Sequence, residues 1–88
     1  MIVRILGEGR YEIPDADLPA VEEIDSVLVD AIDRNDDASF SAALADLIGQ
    51  VRHTGKPVTH EDTRTSEMVV PHEGSTLTEV KNLLAEEV

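Results

Sequence analysis

The sequence contains no cysteine and no tryptophan, and of the aromatic residues Phe, Trp and Tyr it has only Tyr11 and Phe40. The lack of thiols excludes disulfide frameworks, thiolate zinc sites and cysteine nucleophiles, and agrees with a reducing compartment. Basic residues are scarce: 7 Lys plus Arg stand against 19 Asp plus Glu, a formal charge of −12 over 88 residues. Such an excess opposes contact with phosphate backbones and anionic headgroups, so no direct reader of DNA, RNA or lipid is expected. Long hydrophobic runs are missing too. Ile2-Val3-Arg4-Ile5-Leu6 is too short for a signal-peptide core and far too short to cross a bilayer. The expectation is a cytoplasmic protein without membrane insertion, folded as a single domain over residues 1–88. At 41% hydrophobic the chain is not disordered by composition. Lysine occurs only at Lys56 and Lys81, an acidic bias resembling that of salt-adapted proteomes.

What is present reads as short strands and amphipathic helices. Residues 2 to 13 suggest a β-hairpin with Gly7-Glu8-Gly9 as a three-residue structural turn. That register sets Ile5 opposite Tyr11, Val3 opposite Ile13 and Arg4 opposite Glu12, so one face is apolar and the other holds an ion pair. A two-residue loop breaks this alternation. Pro14 ends the second strand. A first helix starts near Asp15 or Asp17, with a carboxylate as cap and Pro19 in the first turn. Its stripe is Leu18, Val21, Ile24, Leu28, Ala31 and Ile32, at helical spacing. After a break at Asn35, with Asp36 as the next cap, a second helix runs to about His53 on Phe40, Ala43, Leu44, Leu47, Ile48 and Val51. The short connection makes the two an antiparallel helical hairpin.

Lys56 to Ser66 is polar and reads as a surface loop; Glu67-Met68-Val69-Val70-Pro71 reads as a third strand at an open edge. Thr76-Leu77-Thr78-Glu79 matches a capping box for a last helix that buries Leu77, Val80, Leu83 and Leu84. The expected fold is α+β in the order β-β-α-α-β-α: a small three-stranded antiparallel sheet, made of the N-terminal hairpin plus a later strand, packed on the helical hairpin and a short C-terminal helix.

Chemistry-bearing patterns are few. Gly7-Glu8-Gly9 lacks the third glycine, the following helix and the lysine of a phosphate loop, and Glu8 repels phosphate. His53, His60 and His72 show no HxxxH or HExxH spacing, so no metal site and no cofactor are expected. The serines sit in no nucleophile-elbow context, and the carboxylates cluster on the expected solvent faces, so their abundance supplies no acid–base candidate. The expectation is a non-enzymatic chain. The acidic residues off the first helical stripe, Glu22, Glu23, Asp25, Asp30 and Asp33, are candidates for docking a basic partner, with charge steering the encounter. The open sheet edge offers strand addition as another mode. A regulator that binds a transcription factor and a small metal-binding domain are the alternatives, and homodimerisation is open because small cores gain from it.

The opening Met1-Ile2-Val3-Arg4-Ile5-Leu6-Gly7-Glu8-Gly9-Arg10-Tyr11, the Asn35-Asp36-Asp37 break before Phe40, and Glu67-Met68-Val69-Val70-Pro71 with Leu77-Thr78-Glu79-Val80 resemble the PspA-associated domain, PspAA. The resemblance covers essentially the whole chain. It implies a small accessory protein of the envelope-stress, phage-shock-type response, with a PspA-like membrane-remodelling protein as partner and no cofactor or catalytic residue to carry over. Asn35 stands where the family pattern leads one to expect glycine; asparagine also accepts a left-handed conformation. The chain also stops at Glu86-Glu87-Val88, where relatives often continue.

Overall fold

A computed structural model of the protein describes residues 1–59, 61 and 64–86, with side chains through Asn82. His60, Leu83 and Leu84, named above from the sequence, therefore have side chains outside the described residues. The elements are β1 (Ile2–Ile5), β2 (Gly9–Glu12), a 3-10 turn (Asp15–Asp17), α1 (Leu18–Asp33), α2 (Asp37–Thr54), β3 (Lys56–Val58), β4 (Met68–Val70) and α3 (Leu77–Glu86). The class is α+β, as the sequence suggests. The sheet differs from the expectation: it has four strands, ordered β3-β2-β1-β4, and it is mixed.

Three of the corrections concern the sheet. The segment from Lys56 begins with a strand antiparallel to β2 rather than with a loop; β3 is only three residues long and holds Pro57, so it lacks the alternation that marks a strand. The strand at Met68–Val70 pairs parallel to β1, not antiparallel. The chain leaves β3 at one edge of the sheet and re-enters at the other, running in the same direction as β1.

The third correction concerns the hairpin register, which is two residues away from the expected one: Val3 faces Tyr11, Arg4 faces Arg10, and Ile5 faces Gly9. The loop is Leu6-Gly7-Glu8, closed by Glu8 N–H donating to the Ile5 carbonyl at 3.0 Å. Gly7 takes φ +81 inside that loop, a conformation that costs most side chains about 1–2 kcal/mol. An even shift keeps every side chain on its expected face, so the apolar inner face survives while the Arg4–Glu12 pairing does not. Glu12 is held by Arg64 instead, Nη1 to Oε2 at 2.5 Å.

The helices cover one face of the sheet. Val3, Ile5, Ile13 and Val70 join Val21, Leu28 and Ala31 of α1, the whole expected α2 stripe, and Leu77 and Val80 of α3 in one buried cluster. Asp36 starts α2 by accepting from the Ser39 N–H at 3.1 Å and the Ser39 hydroxyl at 2.9 Å, which holds its carboxyl below the usual range. Just before it, Asn35 sits at φ +57, the left-handed turn between α1 and α2, and its Oδ1 accepts from Lys81 Nζ at 2.6 Å. The carboxylate cap expected for α1 is not formed: Asp17 is helical and makes no side-chain capping bond, because the 3-10 turn supplies the lead-in. Thr76 caps α3, accepting from Glu79 N–H at 3.1 Å, while the Glu79 carboxylate lies 3.6 Å from His72 Nε2 rather than completing the box. Where α2 passes into β3, a Cβ on Gly55 would come within 2.5 Å of the Val51 carbonyl oxygen, so that step needs glycine.

Candidate functional site

The five acidic residues singled out on α1 do not form one set. Glu22, Glu23, Asp30 and Asp33 are exposed, and with Ser26 they recur at spacings of three and four, which places them on one outward face of the helix. Asp25 is half-buried because it shares the core spacing, four residues after Val21 and three before Leu28. Its desolvation raises the carboxyl pKa above the ordinary value. Asp30 is engaged by Arg34 one turn later, Oδ2 to Nε at 2.8 Å. Among the described residues, Glu22, Glu23 and Asp33 have no ion pair, and they form the acidic surface that α1 presents. The exposed Val27 and Val29 lie on the two flanks of this face, because their positions differ by two residues, about 200° around the helix.

The structural turn carries more than the sequence assigns to it. Glu8, at the tip, accepts from Arg52 Nε at 3.0 Å through Oε2, from Arg52 Nη2 through Oε1, and from the Tyr11 hydroxyl at 2.7 Å. Those bonds, the Arg52 one first, lower the Glu8 pKa to about 2. Arg52, raised in turn by Glu8 and then Glu73, also donates to Glu73 Oε2 at 2.8 Å. The Tyr11 pKa is raised, chiefly by its bond to Glu8. One guanidinium in the last turn of α2 thereby ties the hairpin tip to the segment between β4 and α3. No local pattern announces this, since Glu8 and Arg52 are remote in sequence. Gly9 lies outside the turn as the first residue of β2.

The outer face of the sheet is the other surface the sequence leaves unremarked. Arg4 and Arg10 are cross-strand neighbours there, and Arg10 donates to the carbonyls of Arg64 at 2.8 Å and Thr59 at 3.0 Å. A cleft of about 650 Å³ opens over these residues, with Val58, Arg64 and Val69 in its walls. Among the described residues, no group of three His, Cys, Asp or Glu side chains is placed to hold a metal ion. No described helix is long and apolar enough to cross a membrane.

The arrangement is that of a small α+β domain whose most distinctive chemistry lies on two surfaces of unlike charge. By sequence the chain belongs to the PspAA family: the family's model, described as PspA-Associated protein, matches residues 1–88, the whole chain. No curated protein and no solved structure matches it. Membership connects the chain to the PspA system.

Proposed function

We propose that the protein is a non-enzymatic accessory of the envelope-stress, phage-shock-type response, acting on the cytoplasmic side by direct contact with a PspA-like membrane-remodelling protein. Its docking surface in this reading is the outward face of α1. The observation that carries it is the row of exposed Glu22, Glu23 and Asp33, which have no ion pair among the described residues, on the helix that contributes less than α2 to the core. Carboxylates in that state are available to a basic helix, and their mutual repulsion is relieved when one binds.

The test is a titration of a PspA-like protein into the full chain at low and moderate ionic strength. Binding is expected to weaken steeply with salt, and Glu22→Gln with Glu23→Gln and Asp33→Asn should reduce affinity by about tenfold or more while leaving the fold intact. No association at low salt would end this reading. Capture of a DNA-binding regulator in preference to the PspA-like protein would replace it with a regulatory one.

A further inference from the structure

The register of the four strands places Val58, Arg10, Arg4 and Val69 side by side in one rung across the outer face of the sheet. Three of its properties run against stability. Arg4 stands directly opposite Arg10, and like charges at facing positions repel. Arg4 is exposed and has no ion pair among the described residues, in a chain where 19 acids are available to 7 bases. Val69, beside Arg4, is 58% exposed, the highest value among the large hydrophobic residues described.

The surroundings are ordered to support this rung. Arg10 is fixed by the carbonyls of Thr59 and Arg64, and Arg64 is fixed by Glu12, so the cleft floor is held before anything binds. Among the described residues, Glu8 is the one carboxylate in the cleft lining, and it is already bound by Arg52 and Tyr11. Glu12 and Glu67 lie one rung away, level with Ile2.

We propose that this face docks an acidic polypeptide segment of a partner protein, whose carboxylates meet Arg4 and whose apolar side chains cover Val69 and Val58. The rung spans four strands, about 14 Å at ordinary strand spacing, which suits a segment rather than a single small anion. A phosphate or acetate would answer Arg4 and leave exposed Val69 and the open side of half-buried Val58 in water. Nucleic acid and anionic membrane, with their dense negative charge, are opposed by the net charge of −12, whereas a short acidic segment brings only a few carboxylates. The site is separate from the α1 surface and does not depend on it.

The experiment follows backbone amide resonances of the full chain as it is titrated with a helical peptide of about 16 residues built from paired Glu and Leu, beside a Lys and Leu counterpart. The acidic peptide should shift Arg4, Arg10, Val58 and Val69, with the response fading as salt rises. Arg4→Glu should weaken binding by about tenfold or more and, by removing the repulsion from Arg10, raise the melting temperature. Arg4→Lys should keep most of the affinity, and Val69→Ser should lower it without unfolding the chain. No shift in the wild type at low salt would overturn the proposal, as would binding unaffected by Arg4→Glu. Displacement of the peptide by millimolar inorganic phosphate would reduce the site to an anion site. Arg4-dependent binding of anionic vesicles would also overturn it. Shifts on α1 with the Lys peptide bear only on the PspA-directed reading.

Discussion

α1 and α2 have stripes of the same period, yet they do different jobs. α2 buries Phe40, Ala43, Leu44, Leu47, Ile48 and Val51, starts on a formed Asp36 cap and ends with Arg52 and His53, cations that suit a helix C-terminus. α1 buries only Val21, Leu28 and Ala31, has no side-chain cap and no basic residue in its last turn, and carries Asp30 and Asp33 at its carbonyl end, where negative charge is unfavourable. The helix optimised along its length is the one that holds the fold. The other helix keeps one face outward, and one of its unfavourable charges, Asp33, is among the carboxylates proposed for partner contact.

The comparison is broken most severely by removing the largest side chain of the α2 stripe. Phe40 is fully buried, so Phe40→Ala should cost about 3–5 kcal/mol in urea unfolding, whereas Ile24→Ala on the half-buried flank of α1 should cost about 1–2 kcal/mol. Equal losses would mean that the two helices share the core. Next in size is the joint between them: Asn35→Ala forces alanine into the left-handed region and should lose about 1 kcal/mol, while Asn35→Gly should be close to neutral.

A smaller effect concerns the arginine that ends α2. The bonds from Arg52 and Tyr11 hold the Glu8 carboxyl down to about 2 in the folded protein, from an ordinary 4.5, so its contribution is present above pH 4.5 and is lost as pH falls toward 2. Glu8→Gln or Arg52→Ala should flatten the acid limb of the stability profile across that window, measured by thermal melts at stepped pH.

The smallest effect sharpens the comparison from the α1 side, and its sign is opposite. Burial raises the Asp25 pKa, so its ionised form opposes folding, and stability is lost as pH rises through the folded value. Asp25→Asn should therefore raise the melting temperature slightly at neutral pH, with the gain vanishing in acid. It should leave partner binding unchanged, unlike substitutions at Glu22 or Glu23.

Helical periodicity made the core legible. Every residue of the α2 stripe is buried, and the α1 stripe is buried or half-buried, because one face of a helix is stated several times over in its own sequence. The sheet was legible only in part. The faces of the hairpin follow from alternation, but alternation is unchanged by a two-residue slip, so Arg4 was paired with Glu12 instead of Arg10. Three residues containing Pro57 do not announce a strand, and Met68-Val69-Val70 carries no mark of whether its neighbour runs with it or against it. Among the candidate residues, Asp25 looked like the other acids until its spacing from Val21 and Leu28 was taken as seriously as that of the apolar positions. Bonds such as Glu8 to Arg52 join distant segments and leave no trace in any local window.

β1 lies inside the sheet, yet one of its two neighbours is supplied from near the far end of the chain: Val3 pairs with Met68. The helical hairpin can close on contacts a few turns apart, whereas this pairing must wait for a loop of most of the chain to close. Of the strand pairings, β1 with β4 closes the longest loop and carries the largest closure entropy. A substitution that weakens β4 should slow refolding if its contacts are formed at the barrier, and a comparable loss within the α1–α2 pair should then appear mainly as faster unfolding if its contacts are completed after that step.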